Sequence, residues 1–249
     1  MLPLVALRFL SVFAVEMGRT RMKACLLFFV KYPEPGAVKT RLAKMIGYGY
    51  AVEFYKRFIL DSVEMLSTLP QQVNVCYAPG YSGSYFRNWL GERFLYTPQQ
   101  GKDLGERMDH SFQQAFQQGF GKVAIIGSDL PDLPSQIVTQ AFKELDTHDA
   151  VIGPAVDGGY YLLGFRQTSF FPSVFEDIAW SRETVFEQTS QKIEQAGLHR
   201  ATLPIWQDVD SFSELRQLCT QSDRQRKQRA RHTVRYWHEV KREIFTQSL

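Results

Sequence analysis

The chain has 249 residues, of which 44% are hydrophobic, so it is long enough to bury a sizeable core. Its net charge of +3 is uneven: residues 221–249 hold eight Lys and Arg against three Asp and Glu, which leaves −2 on the first 220 residues. A basic excess confined to a tail argues against nucleic-acid binding, which places basic residues across a recognition surface. Cys25, Cys76 and Cys219 have no CxxC or Cys/His spacing. They therefore argue against a zinc site or a disulfide framework and predict a reducing, cytoplasmic compartment.

The first 21 residues open with an apolar stretch that Arg8 interrupts. This stretch lacks the basic start and small-residue cleavage site of a signal peptide, and it is shorter than the roughly 20 residues that span a membrane. Met22 stands directly before the first predicted strand. We therefore expect no stable membrane span and interpret residues 1–21 as an N-terminal extension from a misassigned start. The alternative is a weak membrane-associating leader.

Strand and helix patterns alternate through the rest of the chain. Apolar runs typical of buried strands, with shorter strand patterns, are at 24–30, 73–77, 93–97, 122–127, 150–153, 159–165 and 202–204. Helical spacing is found at 38–66 (broken near Gly47 and Gly49), 104–118, 134–145 and 182–196. This alternation predicts one α/β domain over residues 22–220, with a mostly parallel, Rossmann-related sheet and helices on both faces.

The basic segment 221–249 follows this domain. Residues 224–245 have helical spacing, with Trp237, Val240 and Ile244 on one stripe. We expect the helix to dock by this stripe, in preference to binding a membrane or an acidic partner.

Ligands of an open parallel sheet bind beyond the carboxyl ends of its strands, so the loops that follow strands are the candidate ligand-binding segments. After the first strand, Gly36 permits close approach of a backbone. Lys39 and Arg41 stand at a helix start, where free N–H groups and the helix dipole favour anions. They form a candidate phosphate site, although the segment is neither a Walker A motif nor GxGxxG. An ordinary helix start with surface cations is the alternative.

Two further segments contain candidate carboxylates. Asp129 directly after the 122–127 strand is well placed to hold Mg²⁺ or Mn²⁺, and we expect Asp132 to cap the next helix. Asp208 and Asp210 alternate in an extended segment and should point to opposite sides. We expect one of them to face the site and the other to cap the helix that begins near Ser211.

Two other loops admit both a functional and a structural interpretation. Asp157, Gly158 and Gly159 suit a loop that passes close to a ligand, or a plain turn. Asp103 and Glu106 fit a capping-box-like helix start. No histidine has metal-ligand or nucleophile spacing, and no G-x-S-x-G motif supports Ser/His/Asp hydrolysis.

Six segments, taken in order, resemble a bacterial family of glycosyltransferase-like proteins of the nucleotide-diphospho-sugar transferase superfamily, the radical-SAM/selenodomain-associated transferase type. They are FVKYPEPGAVKTRLA (29–43), QGKDLGERM (100–108), IIGSDLPDL (125–133), IGPAVDGGYYLLG (152–164), AWS (179–181) and DVDSFSEL (208–215). The similarity covers roughly residues 23–220. It implies a GT-A-like fold, a nucleotide or nucleotide-sugar ligand and Mg²⁺ or Mn²⁺ held by carboxylates.

The resemblance also implies site residues. Asp129 and Asp210 are the metal pair, and Asp129 and Asp157 are the catalytic candidates, with Asp157 as a general base. The substrate-binding candidates are Lys31, Gly36, Lys39, Arg41, Asp103, Arg107, Gly158, Gly159, Tyr160 and Trp180.

One departure from typical glycosyltransferases bears on the reaction. Gly127 stands where an Asp-x-Asp motif would have its first carboxylate. The chain is also distantly similar to 2-phospholactate guanylyltransferase and molybdenum-cofactor nucleotidyltransferases, which share the Lys-x-Arg element and the strand-end Asp. Sugar transfer from a nucleotide-sugar to a small-molecule acceptor is the leading expectation. The alternatives are nucleotidyl transfer from an NTP to a small phosphorylated substrate, and a non-catalytic nucleotide-binding module.

Overall fold

The computed structural model describes residues 22–247, so the predicted extension 1–21 lies outside the described residues. The strands are β1 (Ala24–Lys31), β2 (Gln72–Ala78), β3 (Leu95–Pro98), β4 (Lys122–Ile126), β5 (Ala150–Pro154), β6 (Tyr160–Arg166) and β7 (Arg200–Thr202). The α-helices are α1 (Thr40–Ile46), α2 (Tyr48–Leu66), α3 (Gly83–Leu90), α4 (Leu104–Gln117), α5 (Ser135–Glu144), α6 (Val185–Gln195), α7 (Phe212–Thr220), α8 (Arg224–Arg229) and α9 (Arg231–Gln247). Single 3₁₀ turns cover Gly80–Ser82 and Pro172–Phe175.

The seven strands form one sheet in the order β3-β2-β1-β4-β6-β5-β7. β6 runs antiparallel to β4 and β5, and the other strand pairs are parallel. Residues 155–159 connect β5 to β6. Five residues are too few for a parallel crossover, which takes a dozen or more, so β6 must return antiparallel. The expected α/β fold with a mostly parallel sheet is confirmed.

Alternate residues of β1 enter two separate cores, as the pleat of a strand requires. Leu26 and Phe28 pack with residues of α1, α2, α3, α5, α7 and α9. Leu27 and Phe29 face the opposite side and pack with residues of α4 and α6. Helices therefore cover both faces, and every residue from Cys25 to Val30 is buried as the continuous apolar run predicts.

The structure differs from the sequence prediction at three elements. The last strand is Arg200–Thr202, two residues before the predicted 202–204, and α3 was not predicted. The basic tail forms two helices separated at Ala230 instead of one. The break has a physical cause: the buried carboxylate of Asp61 in α2 accepts the backbone N–H groups of His232 and Thr233, at 2.8 and 3.0 Å, and so begins a new helix there.

The tail packs on the domain by its predicted stripe. Trp237, Val240 and Ile244 are all buried, in the core that α2 and α7 share. Docking of the tail by this stripe is confirmed. Over residues 22–247, no helix combines the length and apolar character needed to cross a membrane.

Candidate active site

The site centres on a buried ammonium group between two carboxylates. Lys39 Nζ lies 2.6 Å from Asp129 Oδ1 and 2.6 Å from Asp210 Oδ1. It also donates to the backbone carbonyl of Val209, at 2.8 Å. An ammonium has three N–H donors, and protein acceptors here take all three. The loops after β1 and β4 and the segment before α7 therefore meet at one point.

Backbone geometry fixes this meeting point. Lys39 is the residue before α1 and has φ 48° and ψ 42°, a left-handed conformation that costs a non-glycine residue about 1–2 kcal/mol. Val209 N donates to Asp129 O at 2.9 Å and so joins the two carboxylate segments directly. The Lys39 stem leads inward, with Nζ 5.4 Å from the centre of the Phe58 ring. Ion pairs and packing offset the strain.

The charges at this centre depend on one another. Burial lowers the pKa of Lys39, but the adjacent Asp129 and Asp210 carboxylates outweigh it and raise that pKa to about 12. Burial would raise the pKa of Asp210, yet the Lys39 ammonium reverses this and holds it below its ordinary value, with help from Arg41. Lys39 therefore stays charged at neutral pH, and contact with a phosphate requires it to leave at least one of its protein acceptors.

Asp208 also belongs to the site, which corrects the expectation that only one carboxylate of its segment faces it. Burial, together with the neighbouring negative charges of Asp210 and Asp157, raises the pKa of Asp208 to about 7. The extended-strand rule failed because residues 207–210 are not part of a strand. Neither carboxylate caps α7 either: Ser211 and Glu214 form its capping box. Asp129, Asp157, Asp208 and Asp210 thus contribute to one acidic region.

The raised pKa of Asp208 predicts how stability depends on pH in metal-free solution. Folded protein holds a proton on Asp208 up to about pH 7, whereas the unfolded chain releases it near the ordinary carboxyl pKa of 3.8. This contribution to stability is therefore complete below pH 3.8 and is lost as the pH rises through about 7. In urea titrations with EDTA between pH 5 and 8, the free energy of unfolding should fall less in Asp208→Asn than in the parent. Equal slopes would contradict the assignment.

A buried tyrosine supports the floor of the site. The Tyr55 hydroxyl, from α2, accepts the backbone N–H of Lys31 at 2.9 Å and lies 2.9 Å from Ser128 Oγ. Tyr55 thus ties the end of β1 to the residue before Asp129. This role has no local signal in the sequence, because Tyr55 is one of several large residues on a buried helix face.

Asp132 is not a helix cap, contrary to expectation. The cap position of α5 is Pro134, and no side chain caps that helix. The Asp132 side chain is fully buried, accepts a hydrogen bond from Trp206 Nε1 at 3.1 Å and pairs with Arg226 of the tail. A buried carboxylate needs such partners to offset its lost hydration, and here they come from distant segments.

The turn between β5 and β6 holds Asp157 near Asp208. Asp157 Oδ1 accepts the backbone N–H of Gly159 at 2.9 Å. Gly158 has φ 86°, and a Cβ atom there would lie 2.1 Å from the carbonyl oxygen of Glu183. Gly158 is therefore required by conformation and by close approach of another backbone.

Gly158→Ala should destabilise the protein by at least about 2 kcal/mol, because the left-handed conformation and the backbone clash both penalise a Cβ. Gly119→Ala is the matched control: Gly119 has φ 85°, but nothing lies within 4 Å of its added Cβ. It should cost only the conformational penalty of about 1–2 kcal/mol. Urea unfolding of the two variants measures the difference, and equal losses would mean that the Glu183 contact adds nothing.

Other candidates after the third strand serve local structure. Asp103 caps α4 by accepting Glu106 N–H at 2.9 Å, and Glu106 accepts Lys102 N–H at 2.8 Å, so the capping interpretation is confirmed. Arg107 Nε donates to Gly101 O at 3.1 Å. A ligand role for Asp103 and Arg107 would add to these contacts.

The aromatic candidates lie on the α4 side of the sheet. The Trp180 ring lies against Gly105, where an added Cβ would be 2.7 Å from it. The Tyr160 hydroxyl donates to Met108 Sδ at 3.7 Å, and burial raises the pKa of Tyr160. The structure therefore does not direct the Tyr160 hydroxyl at the carboxylates.

The remaining phosphate candidates are open to solvent. Arg41 is exposed and forms no ion pair with any residue between 22 and 247. Gly36 has φ 85° and open space around its Cα. A groove of about 580 Å³ begins at Arg41 and Ser211 and continues between α1 and α7. Space for a ligand therefore adjoins the carboxylate centre.

The donor set suits a hard divalent cation. It consists of carboxylate oxygens, which are the ligands that such cations prefer. Lys39 Nζ, however, already lies 2.6 Å from one oxygen of Asp129 and one of Asp210. A metal bound to these two oxygens, at about 2.0–2.6 Å, would require the ammonium to move. Asp129 and Asp210 are thus suitable ligands on the condition that Lys39 shifts.

The comparison with solved structures gives the class of fold. The "putative nucleotide-diphospho-sugar transferase" of Desulfovibrio desulfuricans G20 is 41% identical, with a TM-score of 0.84 over 90% of this chain and 97% of that chain. The inositol-1-phosphate CTP transferase of T. maritima is 12% identical, with a TM-score of 0.53 over 85% of this chain and 96% of that one. CMP:2-keto-3-deoxy-manno-octonic acid synthetase complexed with CTP is 10% identical, with a TM-score of 0.50 over 78% and 96%. The fold is of the nucleotide-diphospho-sugar transferase type.

A family model described as "Uncharacterized protein conserved in bacteria (DUF2064)" matches residues 62–182. The chain is also 41% identical to the Desulfovibrio protein over nearly the full length of that protein. It belongs to the DUF2064 family. No curated protein matches it.

Proposed function

We propose that this protein is a metal-dependent transferase that takes a nucleotide-sugar as donor. The observation that carries the proposal is the meeting of Lys39 with Asp129 and Asp210 at the carboxyl ends of β1 and β4. The relative at 41% identity, named as a nucleotide-diphospho-sugar transferase, supports it. The narrower radical-SAM/selenodomain assignment, the cytoplasmic location and a small-molecule acceptor remain predictions.

In this mechanism Asp129 and Asp210 hold Mg²⁺ or Mn²⁺, which supplies a Lewis acid against the charge that develops on the leaving nucleoside diphosphate. Arg41, which is exposed and unpaired among the described residues, contacts the phosphates. Lys39 leaves the carboxylates when the ligand binds, and its ammonium contacts the diphosphate beside the Arg41 guanidinium.

Asp157 is the proposed general base toward the acceptor hydroxyl. The backbone N–H of Gly159 fixes one of its oxygens, which orients the carboxylate without neutralising it. Asp208, with a pKa of about 7, gains negative charge when its proton leaves near neutral pH. This proton loss should strengthen cation binding as pH rises.

Nucleotidyl transfer is the second candidate. Gly127 occupies the place of an Asp-x-Asp carboxylate, and the two neighbours of the same fold named above are, by name, a CTP transferase and a CMP-sugar-acid synthetase. On this hypothesis a substrate phosphate attacks the α-phosphorus of an NTP and pyrophosphate leaves. Lys39 and Arg41 would then hold the triphosphate.

Thermal unfolding with UDP, GDP, CDP, ADP and the matching triphosphates, each with Mn²⁺, Mg²⁺ or EDTA, tests both candidates. A ligand at a hundredfold excess over its Kd adds about 2.7 kcal/mol of stability. A metal-dependent shift with one diphosphate supports sugar transfer and identifies the base of the donor. A preference for a triphosphate supports nucleotidyl transfer, and no shift with any nucleotide contradicts both.

A further inference from the structure

The basic tail reaches the site through one helix. Arg226 of α8 pairs with the carboxylate of Asp132, which has no exposed surface. Arg229, one turn later, donates from Nε to the backbone carbonyl of Asp132 at 2.7 Å. Both the side chain and the main chain of this residue are therefore held by α8. Asp132 lies three residues after Asp129, in the same short loop after β4.

Trp206 joins two more loops to this contact. Its indole N–H donates to Asp132 Oδ1 at 3.1 Å, and the Arg226 guanidinium lies 5.3 Å from the centre of its ring. The Trp206 backbone donates to Pro154 O at 3.1 Å and accepts from Val156 N at 3.2 Å. Trp206 thus binds the residues on either side of the β5 end while its ring is held by the tail.

These contacts converge on the segments that carry all four carboxylates of the site. Asp129 shares its loop with Asp132, and Asp157 follows Val156. Asp208 and Asp210 stand two and four residues after Trp206. The three residues that make these contacts, Asp132, Trp206 and Arg226, are distinct from the four carboxylates of the site. They can therefore hold the carboxylate segments in position without contacting a substrate themselves.

We propose that α8 is a clamp that holds the carboxylate loops in place, with Arg226 as its positioning residue. The inference assigns the basic tail a role in the proposed transferase site and so rests on that function. Arginine suits this position because its planar guanidinium can bond a carboxylate at its edge and stack on an aromatic ring with its face. Lysine retains the charge but cannot do both.

Amide hydrogen exchange tests the clamp without requiring any activity. The variants are Arg226→Gln, which removes the charge, and Arg226→Lys, which keeps a counter-charge for buried Asp132 and protects the fold. Arg224→Gln is the matched control, since Arg224 lies on the same helix, is exposed and has no ion pair among the described residues. The probe is the peptide covering residues 203–211, which contains the Val209 N–H that bonds Asp129 O.

We expect exchange in residues 203–211 to rise about tenfold or more in Arg226→Gln and by a smaller factor in Arg226→Lys, with parent-like exchange in Arg224→Gln and unchanged protection in β1 and β4. For the nucleotide that gives the largest thermal shift with Mn²⁺, Kd should increase in both Arg226 variants and not in Arg224→Gln. Parent-like exchange in both Arg226 variants would overturn the clamp. An equal rise in β1 and β4 would do so too, since it would mean general destabilisation.

The two proposals can fail separately. If no nucleotide binds the parent protein, the transferase function is contradicted, and the exchange comparison alone decides whether α8 orders these loops. If nucleotide binds with the same Kd in parent and Arg226→Lys although exchange has risen, Arg226 does not position the site and the inference is wrong.

Discussion

Asp129→Asn should lower kcat/KM about 100- to 1,000-fold with the donor that the nucleotide titration identifies. The amide removes a negative ligand of the proposed cation, and a metal acting as a Lewis acid contributes several kcal/mol to transition-state stabilisation. The side chain of Asp129 is 43% exposed, so an isosteric amide leaves the fold intact. Turnover and calorimetric Mn²⁺ binding should both decline.

Asp109→Asn is the control for this experiment. Among the described residues, the Asp109 carboxylate hydrogen-bonds Gln113 of α4 alone, at 2.8 and 2.9 Å, and it lies apart from the carboxylate centre. It should retain parental turnover and Mn²⁺ affinity. Full activity in Asp129→Asn would remove Asp129 from the catalytic machinery, and unchanged Mn²⁺ affinity would remove it from the metal ligands.

Lys39→Met should destabilise metal-free protein by about 1–3 kcal/mol, because it leaves two carboxylates without their shared counter-charge, and solvent at the partly exposed Asp129 and Asp210 screens part of the loss. Divalent cations should restore much of this loss, since the vacated position between Asp129 and Asp210 then suits a cation with oxygen ligands. The parent should gain less from the same cation, because its ammonium must first move. Urea unfolding in EDTA and in MnCl₂ measures both quantities.

Lys44→Met, in the helix α1 that follows Lys39, is the comparison. Lys44 is exposed and has no ion pair within the described part of the chain, so its loss should change stability by no more than about 0.5 kcal/mol. A Lys39→Met protein as stable as Lys44→Met in EDTA would show that the ion pairs contribute nothing. Equal Mn²⁺ stabilisation of parent and Lys39→Met would show that Lys39 and the cation do not compete.

The sequence was sufficient for most of the fold because local signals agree with the tertiary structure. The run from Cys25 to Val30 is apolar throughout and is buried on both faces. Where local and long-range factors diverge, the prediction failed: the tail breaks at Ala230 because Asp61, about 170 residues earlier, caps the helix that follows.

The sequence predicts site residues that come in the loops after strands. It does not predict contacts that depend on residues far away in the chain. Lys39, Asp129 and Asp210 were all selected, and the structure brings them together. The local sequence predicts a cap at Asp132, because its actual partner Arg226 lies 94 residues away. Tyr55 was missed because a hydroxyl on a buried helix face carries no local signal of its partners.

The reversed strand β6 also separates the origins of two loops of the site. β6 lies between β4 and β5, so the loop with Asp129 and the loop with Asp157 emerge from strands that are two places apart in the sheet. With about 4.8 Å between neighbouring strands, this insertion separates the two loop origins by about 9–10 Å. Were β5 paired directly with β4, that interval would be halved. The antiparallel strand therefore acts as a spacer between the loop that carries the proposed cation ligand Asp129 and the loop that carries the proposed base Asp157.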